Sequence, residues 1–354
     1  MVPFWQRSQP RRRGRLRAAA VGSLGWRGVG RPPWHAAPRF GARHGRCLIR
    51  LGFVSAILPD LSFDEVLAFA AAEGFACVEA MCWPPGAAER KYAGVTHVDV
   101  VDLTPAKADD LRGACARHGV TLSGLGFYPN PLDPEPPVAA AAVAHIRRMI
   151  AAAPLLGLDR VNTFAGRDWR RSVDDNWPRF LETWRPLVKL AEEHGVRIGI
   201  ENCPMLFTHD EWPGGKNLFT TPAVWRRAFS DIGSPALGLN YDPSHFVLQG
   251  MDPLGPLEEF RGRLFHVHAK DVWIDRRAVA DVGRFDVPAR WHQPRIPGSG
   301  EIDWGGFMGE LERVGYDGPV CIEVEDESFG RTLAGRQRAL RAARDALQPF
   351  LVAD

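Results

Sequence analysis

The sequence of 354 residues lacks several features that mark common classes of protein. It contains no run of 18 consecutive apolar residues, so we predict no membrane-spanning helix. Its six cysteines are scattered and include no Cys-x-x-Cys pair. This usage predicts neither a disulfide framework nor a thiolate zinc site, and it is typical of a reduced, cytoplasmic chain.

Acidic residues are absent from the first 50 positions, which contain 12 arginines and no lysine. The remaining chain has 32 basic against 42 acidic residues, and this charge disfavours a surface for nucleic acid. Residues 1–47 show no sustained apolar period, and we interpret them as a basic, disordered N-terminal extension. A basic arm for nucleic acid or anionic lipid is the alternative. An export signal fits poorly, because residues 18–24 are short and interrupted by glycine.

From residue 48 onward, short β-rich runs alternate with amphipathic stretches. The strands are predicted at 49–57, 77–81, 121–127, 160–164, 197–202, 236–241, 264–269 and 320–324. The helices are predicted at 62–73, 104–119, 137–156, 176–194, 221–229, 253–261, 303–314 and 331–350, with Ser or Thr before several of them and Gly at their ends.

Eight repeats of strand and helix predict an α/β fold, a (β/α)8 TIM barrel that spans residues 48–354. A doubly wound open sheet is the alternative, but no Gly-rich phosphate turn follows the first strand. Two connections, 203–221 after the fifth strand and 272–302 after the seventh, are long enough to be lids or binding loops. Both follow strands, on the face where barrel enzymes place their chemistry.

Charged side chains end four consecutive strands of the predicted barrel, the fifth to the eighth. These residues are Glu201, Asp242, His268 and Glu323. Adjacent strands lie about 4.8 Å apart, so the four can converge at the mouth of the barrel. Three carboxylates would repel one another there unless a cation lay among them. One imidazole with three carboxylates suits one divalent ion, with Mn²⁺ as first choice and Mg²⁺, Co²⁺ or Zn²⁺ as alternatives.

These strand ends, together with the segment 295–304 (RIPGSGEIDW), resemble the sugar phosphate isomerase/epimerase family. That family has a xylose-isomerase-like TIM barrel and includes ketose 3-epimerases, inosose dehydratases and hydroxypyruvate isomerases. The resemblance covers roughly residues 48–350 and implies that Glu201, Asp242, His268 and Glu323 bind one metal ion. It also implies that Glu201 and Glu323 act as the catalytic acid/base pair.

Four further residues are predicted to bind the substrate. His245 follows Asp242 by three residues, and the resemblance implies that it donates to a substrate oxygen; alternatively, it orders its loop. Lys270 could polarise a substrate oxygen or be a solvated strand-end charge. Arg295 could hold a hydroxyl, carboxylate or phosphate, or lie on the surface. Trp83 could stack on a sugar ring or simply pack its loop.

The expected function is therefore a metal-dependent isomerase or epimerase that moves a proton beside a carbonyl of a sugar, keto-sugar or polyol. A lyase or dehydratase with the same site is the first alternative, and a non-catalytic sugar-binding barrel is the second. The acidic stretch 325–327 after the eighth strand favours unphosphorylated substrates. We expect a small-molecule partner, no nucleic acid and no membrane, and a homo-oligomer is possible. A three-zinc endonuclease would need several histidines on the early strands, where the sequence has none.

Overall fold

A computed structural model describes residues 49–84, 94–206 and 215–351, and within these ranges eight parallel strands close a barrel. The strands of the barrel are β1 (Arg50–Val54), β2 (Cys77–Met81), β3 (Thr121–Gly126), β4 (Arg160–Thr163), β5 (Arg197–Glu201), β6 (Leu237–Tyr241), β7 (Leu264–Ala269) and β10 (Pro319–Ile322). The barrel closes where β1 pairs with β10. The predicted TIM barrel is therefore confirmed. The predicted extension at 1–47 lies outside the described residues.

Helices follow the barrel strands, as the alternation predicts. They are α1 (Phe63–Ala72), α2 (Pro105–His118), α3 (Pro136–Ala152), α4 (Val173–His194), α5 (Pro222–Ile232), α6 (Ser244–Gln249), α7 (Gly255–Phe260), α8 (Arg276–Val282), α9 (Trp304–Arg313) and α10 (Leu333–Leu347). The predicted start signals act as caps. Ser62 forms a capping box with Glu65 at the start of α1, and the Thr104 hydroxyl accepts a hydrogen bond from the Lys107 amide at the start of α2.

The structure differs from the predicted elements after β6 and after β7. After β6 there are two short helices, α6 and α7, where the pattern predicts only the second. The connection 272–302 is not a plain loop. It contains α8 and an antiparallel hairpin of β8 (Asp271–Ile274) and β9 (His292–Arg295). Elements of four to seven residues are too short for apolar periodicity to reveal them.

The apolar faces of the helices pack against the barrel and form one main core. The segment 136–156, which contains α3, is the one described helical segment long and apolar enough to cross a membrane by length and composition. Core helices of soluble proteins meet the same criterion. Its residues Ile146, Met149 and Ile150 are buried in the core cluster, as expected for a helix that covers a barrel strand.

Candidate metal centre

The four side chains predicted to bind metal lie together at the carboxyl ends of β5, β6, β7 and β10. Glu201, Asp242, His268 and Glu323 each offer one ligand atom, and these atoms all lie within 4.8 Å of one another. His268 Nδ1 is 3.7 Å from a carboxylate oxygen of Glu201 and 3.6 Å from one of Glu323. One ion at their centre can be reached by all four after small side-chain shifts, because metal–ligand bonds measure about 2.0–2.6 Å.

Two of these ligand atoms are buried without a hydrogen-bond partner among the described residues. They are Oδ2 of Asp242 and Nδ1 of His268. Buried polar atoms are nearly always satisfied, and an unsatisfied one calls for a specific explanation such as an ion. This donor set of one imidazole and three carboxylates, with ligand atoms within 4.8 Å of one another, fits a divalent cation.

Two basic side chains lie against the carboxylates. Lys270 Nζ donates a hydrogen bond of 2.7 Å to Glu323 and lies 3.2 Å from Oδ2 of Asp242. Burial opposes the charged form of Lys270, but the carboxylates of Glu323, Glu325 and Asp242 raise its pKa well above the usual value. His245 Nε2 lies 3.2 Å from Oδ2 of Asp242 and 3.3 Å from Oε1 of Glu201. The predicted substrate residues Lys270 and His245 therefore border the ligand cluster directly.

Both predicted acid/base groups are held in the ionised form. Burial tends to raise the pKa of Glu201, but His268, His245 and Lys270 outweigh it, and the net shift is downward. The pKa of Glu323 is lowered in the same way, with Lys270 as the largest opposing influence. Ionised carboxylates can accept a proton, as a general base must.

A residue that the sequence analysis missed supports His268 from the opposite side. Glu79 lies in the middle of β2, is fully buried, and accepts a hydrogen bond from Nε2 of His268 at 2.7 Å. The Tyr128 hydroxyl donates to the other oxygen of Glu79. A carboxylate bonded to the far nitrogen of a metal-binding histidine fixes the ring orientation and directs the near nitrogen at the metal. Gly126 makes room for this pair, because a Cβ there would lie 2.5 Å from Glu79 Oε1.

The support continues through the barrel interior as a chain of hydrogen bonds. Asn240 Nδ2 donates to the Tyr128 hydroxyl at 3.1 Å, and His266 Nδ1 donates to Asn240 Oδ1 at 2.9 Å. The Ser123 hydroxyl donates to His266 Nε2 at 3.1 Å. Burial lowers the pKa of His266 well below its usual value, so this ring is neutral, with one donor and one acceptor nitrogen. His266 is therefore a member of this chain of hydrogen bonds, which has one donor for each acceptor.

A cavity of about 940 Å³ opens above the ligand cluster. All four predicted substrate-binding residues line it: Trp83, His245, Lys270 and Arg295. Trp83 packs edge-to-face on Phe127 with ring centroids 4.8 Å apart. Arg295, in β9, donates to Ser328 at 2.6 Å and to Asp326 at 3.2 Å. Arg295 is thus hydrogen-bonded within the cavity wall.

Asp271 anchors the segment that carries Arg295. Its carboxylate accepts hydrogen bonds from the amides of Gly298, Gly300 and Ile302 and from Nε1 of Trp304. Gly300 is required because a Cβ there would lie 2.2 Å from Asp271 Oδ1, and Gly298 has a positive φ of 85°. The motif at 295–304 is therefore a loop wrapped around one buried carboxylate, which closes the wall of the cavity.

The family model of the xylose isomerase-like TIM barrel matches residues 67–350 of this chain. The match covers most of the sequence and every strand of the barrel except β1.

The chain is similar to YfiH of Bacillus subtilis, with 27% identity over 314 residues that cover 78% of this chain and 93% of that protein. It is also similar to the inosose dehydratase of Lacticaseibacillus casei, with 28% identity over 163 residues, 44% of this chain and 52% of that enzyme. The chain thus spans about half of the dehydratase. Among solved structures, D-psicose 3-epimerase of Clostridium cellulolyticum superposes with a TM-score of 0.61 at 17% identity over 86% of this chain and all of that one, which shows the shared fold.

Proposed function

Since the chain belongs to the family of xylose isomerase-like TIM barrels, we propose that it is a divalent-metal-dependent isomerase or epimerase of a sugar, keto-sugar or related polyol. The reaction is the removal of a proton beside a carbonyl and its return through an enediolate. The observation that supports this proposal most is the convergence of the ligand atoms of Glu201, Asp242, His268 and Glu323 within 4.8 Å of one another, beside a cavity of about 940 Å³ that Glu201 and Glu323 line.

The metal would be held by these four side chains and, when bound, would supply Lewis-acid polarisation of the substrate's carbonyl and hydroxyl oxygens. Mn²⁺ is our first choice because three of the four ligands are carboxylates, and Mg²⁺, Co²⁺ and Zn²⁺ are the alternatives. We place the enzyme in the cytoplasm.

The acid/base work falls to the chain's own side chains. Glu201 ends β5 and Glu323 follows β10, three strands away around the barrel, so they can approach a substrate carbon from different directions. Their low pKa values keep both ionised before the substrate binds. One of the two carboxylates takes the proton. In isomerisation the carboxylic acid so formed gives the proton to the neighbouring carbon, and in epimerisation the other carboxylate delivers to the opposite face a proton that it has taken from water. His245 and Lys270 are charged donors beside the same oxygens, and they stabilise the negative oxygen of the enediolate.

A dehydratase is the second candidate function. Inosose dehydratase is among the relatives at 28% identity, and elimination needs the same first step. It also needs an acid to protonate the departing hydroxyl group. Lys270 and His245 can supply this proton because both border the carboxylate cluster with their donor nitrogens. Epimerisation and elimination would then differ in whether a hydroxyl group lies near one of these donors.

One experiment separates the two candidates. The chelator-treated protein is incubated with keto-sugars, 3-keto-glycosides or inososes in deuterated water, with and without Mn²⁺. An isomerase or epimerase incorporates solvent deuterium at the carbon beside the carbonyl and releases a product of unchanged composition, which proton NMR detects. A dehydratase produces an unsaturated ketone, which absorbs in the near ultraviolet. If no substrate shows metal-dependent exchange, the proposed proton transfer is wrong.

A further inference from the structure

A second group of potential ligands lies beside the first and shares one residue with it. Glu201, Cys203 and His245 each offer one ligand atom, and the three atoms lie within 4.8 Å of one another. We propose that these residues form a second metal site, adjacent to the first, and that Glu201 bridges the two ions. The inference rests on the proposed metal centre, because it needs Glu201 to be a ligand there as well.

The two oxygens of Glu201 face different partners. Oε2 lies 3.7 Å from Nδ1 of His268, in the first cluster. Oε1 lies 3.3 Å from Nε2 of His245, in the second. A carboxylate whose oxygens point into separate groups of ligands can bind one ion with each, as in enzymes with paired metals about 3.5–4 Å apart.

His245 supplies the second ligand, and an ion bound there would take the place of the proton that otherwise makes His245 a charged donor. Its side chain is 9% exposed, and its Nε2 has no hydrogen-bond partner among the described residues. This nitrogen nevertheless lies 3.2 Å from Oδ2 of Asp242 and 3.3 Å from Oε1 of Glu201. An unpartnered imidazole nitrogen close to two anionic oxygens, without the geometry of a hydrogen bond to either, suits a cation bound between them.

Cys203 is held in place by a buried side chain. Asn217 is fully buried, and its amide donates to the backbone oxygens of Glu201 at 2.8 Å and Cys203 at 2.7 Å. Its own oxygen accepts from the Ala165 amide at 3.0 Å. This clamp fixes the spacing of the two proposed ligands after the end of β5. Residues two positions apart in extended backbone point to the same side, so both side chains can reach one ion.

The backbone after Cys203 is also arranged around its sulfur. Met205 is the one non-glycine residue with a positive φ, 56°, among those that the structure describes. In this unfavourable conformation its amide donates to Sγ of Cys203 at 3.4 Å. Strained backbone of this kind is concentrated at functional sites, and the Met205 N–H group directed at Sγ holds the sulfur beside Glu201 and His245.

The two sites differ in their ligand chemistry. The first offers three carboxylates and one imidazole, which Mn²⁺ and Mg²⁺ accept. The second offers sulfur, nitrogen and oxygen, a combination that favours Zn²⁺ or Co²⁺ over Mn²⁺. We therefore expect Mn²⁺ to fill the first site alone and Zn²⁺ or Co²⁺ to fill both.

The test is equilibrium dialysis of the full chain against Co²⁺, with the bound metal counted by elemental analysis and its absorption spectrum recorded. We expect two ions per chain and a thiolate-to-cobalt charge-transfer band in the near ultraviolet. Cys203→Ser should bind one ion and lose the band. Cys115→Ser, which alters a half-buried thiol on α2, should keep both. Dialysis against Mn²⁺ should give one ion per chain.

The possible outcomes separate this inference from the proposed function. One Co²⁺ per chain without the band overturns the second site and leaves the first intact, whereas a chain that binds no ion refutes both. If Cys203→Ser does not fold, as judged by circular dichroism, Cys203→Asp replaces it. That variant keeps an anionic ligand and should bind two ions without the band; one ion with the aspartate would also contradict the inference. The count and the band of the unaltered protein test the site without any substitution.

Discussion

The earlier half of the barrel (β1–β4) and the later half (β5–β7 and β10) have the same backbone architecture. They differ in where their charged side chains lie and in what those side chains contact. In the later half, the ends of β5, β6, β7 and β10 bring together Glu201, Asp242, His268 and Glu323, and two of these, Glu201 and Glu323, line the cavity. In the earlier half, the cavity wall is largely apolar, with Val54, Met81, Trp83 and Phe164. Among the described residues of that half, Glu79 is a buried carboxylate in the centre, and it faces inward to His268 of the other half. The later half thus carries the proposed chemistry, and the earlier half orients it.

This division has a physical reason. Burying an unpaired charge costs several kcal/mol, and the later half offsets that cost by placing two cations, Lys270 and His245, against its carboxylates. The earlier half avoids the cost in another way, since the two oxygens of Glu79 are satisfied by Tyr128 and His268. Substitutions in the two halves should therefore have different consequences.

The largest effect is expected in the later half, from Glu201→Gln. This change removes both a proton acceptor and an anionic metal ligand, and we expect turnover to fall by about 10³- to 10⁴-fold. The measurement is the rate of solvent deuterium incorporation at saturating metal. Glu312→Gln, on the exposed face of α9, is the control and should be unchanged. Full turnover of the Glu201→Gln variant would show that Glu201, and with it the later half, does not carry out the proton transfer.

In the earlier half, Glu79→Gln should weaken metal binding and leave proton transfer by the metal-loaded protein largely unchanged. Both oxygens of Glu79 accept hydrogen bonds, one from Tyr128 and one from His268. In the variant the amide NH₂ would face one of these donors, and the repulsion between two donors would displace the His268 ring. We expect metal affinity to fall by about 10- to 100-fold, with most of the turnover restored by excess metal. Titration with Co²⁺, monitored by absorption, measures the affinity. Glu312→Gln, on the exposed face of α9, should leave it unaltered. Equal affinities for Glu79→Gln and the unaltered protein would contradict the supporting role.

The contrast between the halves also explains what the sequence could reveal. A charged residue that ends an apolar β-run is visible in the sequence, and four such ends on consecutive strands predict a common site. Glu79 lies inside the run at 77–81, where a carboxylate in a buried strand was a signal that could have been noticed. Its partner His268 could not have been identified, because 189 residues separate the two and only the closure of the barrel brings them together.

The fold was predictable for a similar reason. Helix caps such as Ser62 and stops such as Gly119, which has a φ of 66°, are local and therefore readable. The hairpin of β8 and β9 was missed because long-range contacts hold it, above all the buried carboxylate of Asp271, which accepts bonds from amides 27 to 31 residues away. The role of Arg295 in substrate binding was predicted from the family resemblance, but its position in strand β9 was not predicted.

A smaller effect is expected from a substitution in the part of the cavity wall that Asp271 anchors. Arg295→Ala removes a charged donor from the cavity, and we expect KM to rise about tenfold with kcat changed much less, as for a lost hydrogen bond to a charged group. Steady-state kinetics with the substrate found by screening measures both constants. Arg276→Ala removes an exposed arginine that pairs with Glu301 and should leave KM unchanged. If both variants behave alike, Arg295 is a structural part of the loop only.

The smallest effect concerns the seam where the two halves meet, beside the pairing of β1 with β10. Glu73, at the end of α1, accepts hydrogen bonds from Arg341 at 2.9 Å and Arg344 at 3.0 Å, both on α10. These arginines, Arg341 first, lower the pKa of Glu73. Glu73→Gln should therefore reduce the free energy of unfolding at pH 7 by about 1 kcal/mol, the upper range for pairs near the surface.

The direction of the shift determines how this loss depends on pH. A carboxylate whose pKa is lower in the folded state stabilises the protein fully above its unfolded pKa, which is about 4.3 for glutamate. The stabilisation disappears as the pH falls through the folded pKa, because both states then bind the proton. Urea unfolding of the metal-free protein and of Glu73→Gln should thus differ at pH 7 and converge as the pH falls from about 4.3 to below the folded pKa of Glu73. A difference that persists below this pH would mean that Glu73 joins the halves by packing and not by charge, whereas no difference at pH 7 would mean that strand pairing alone closes the seam.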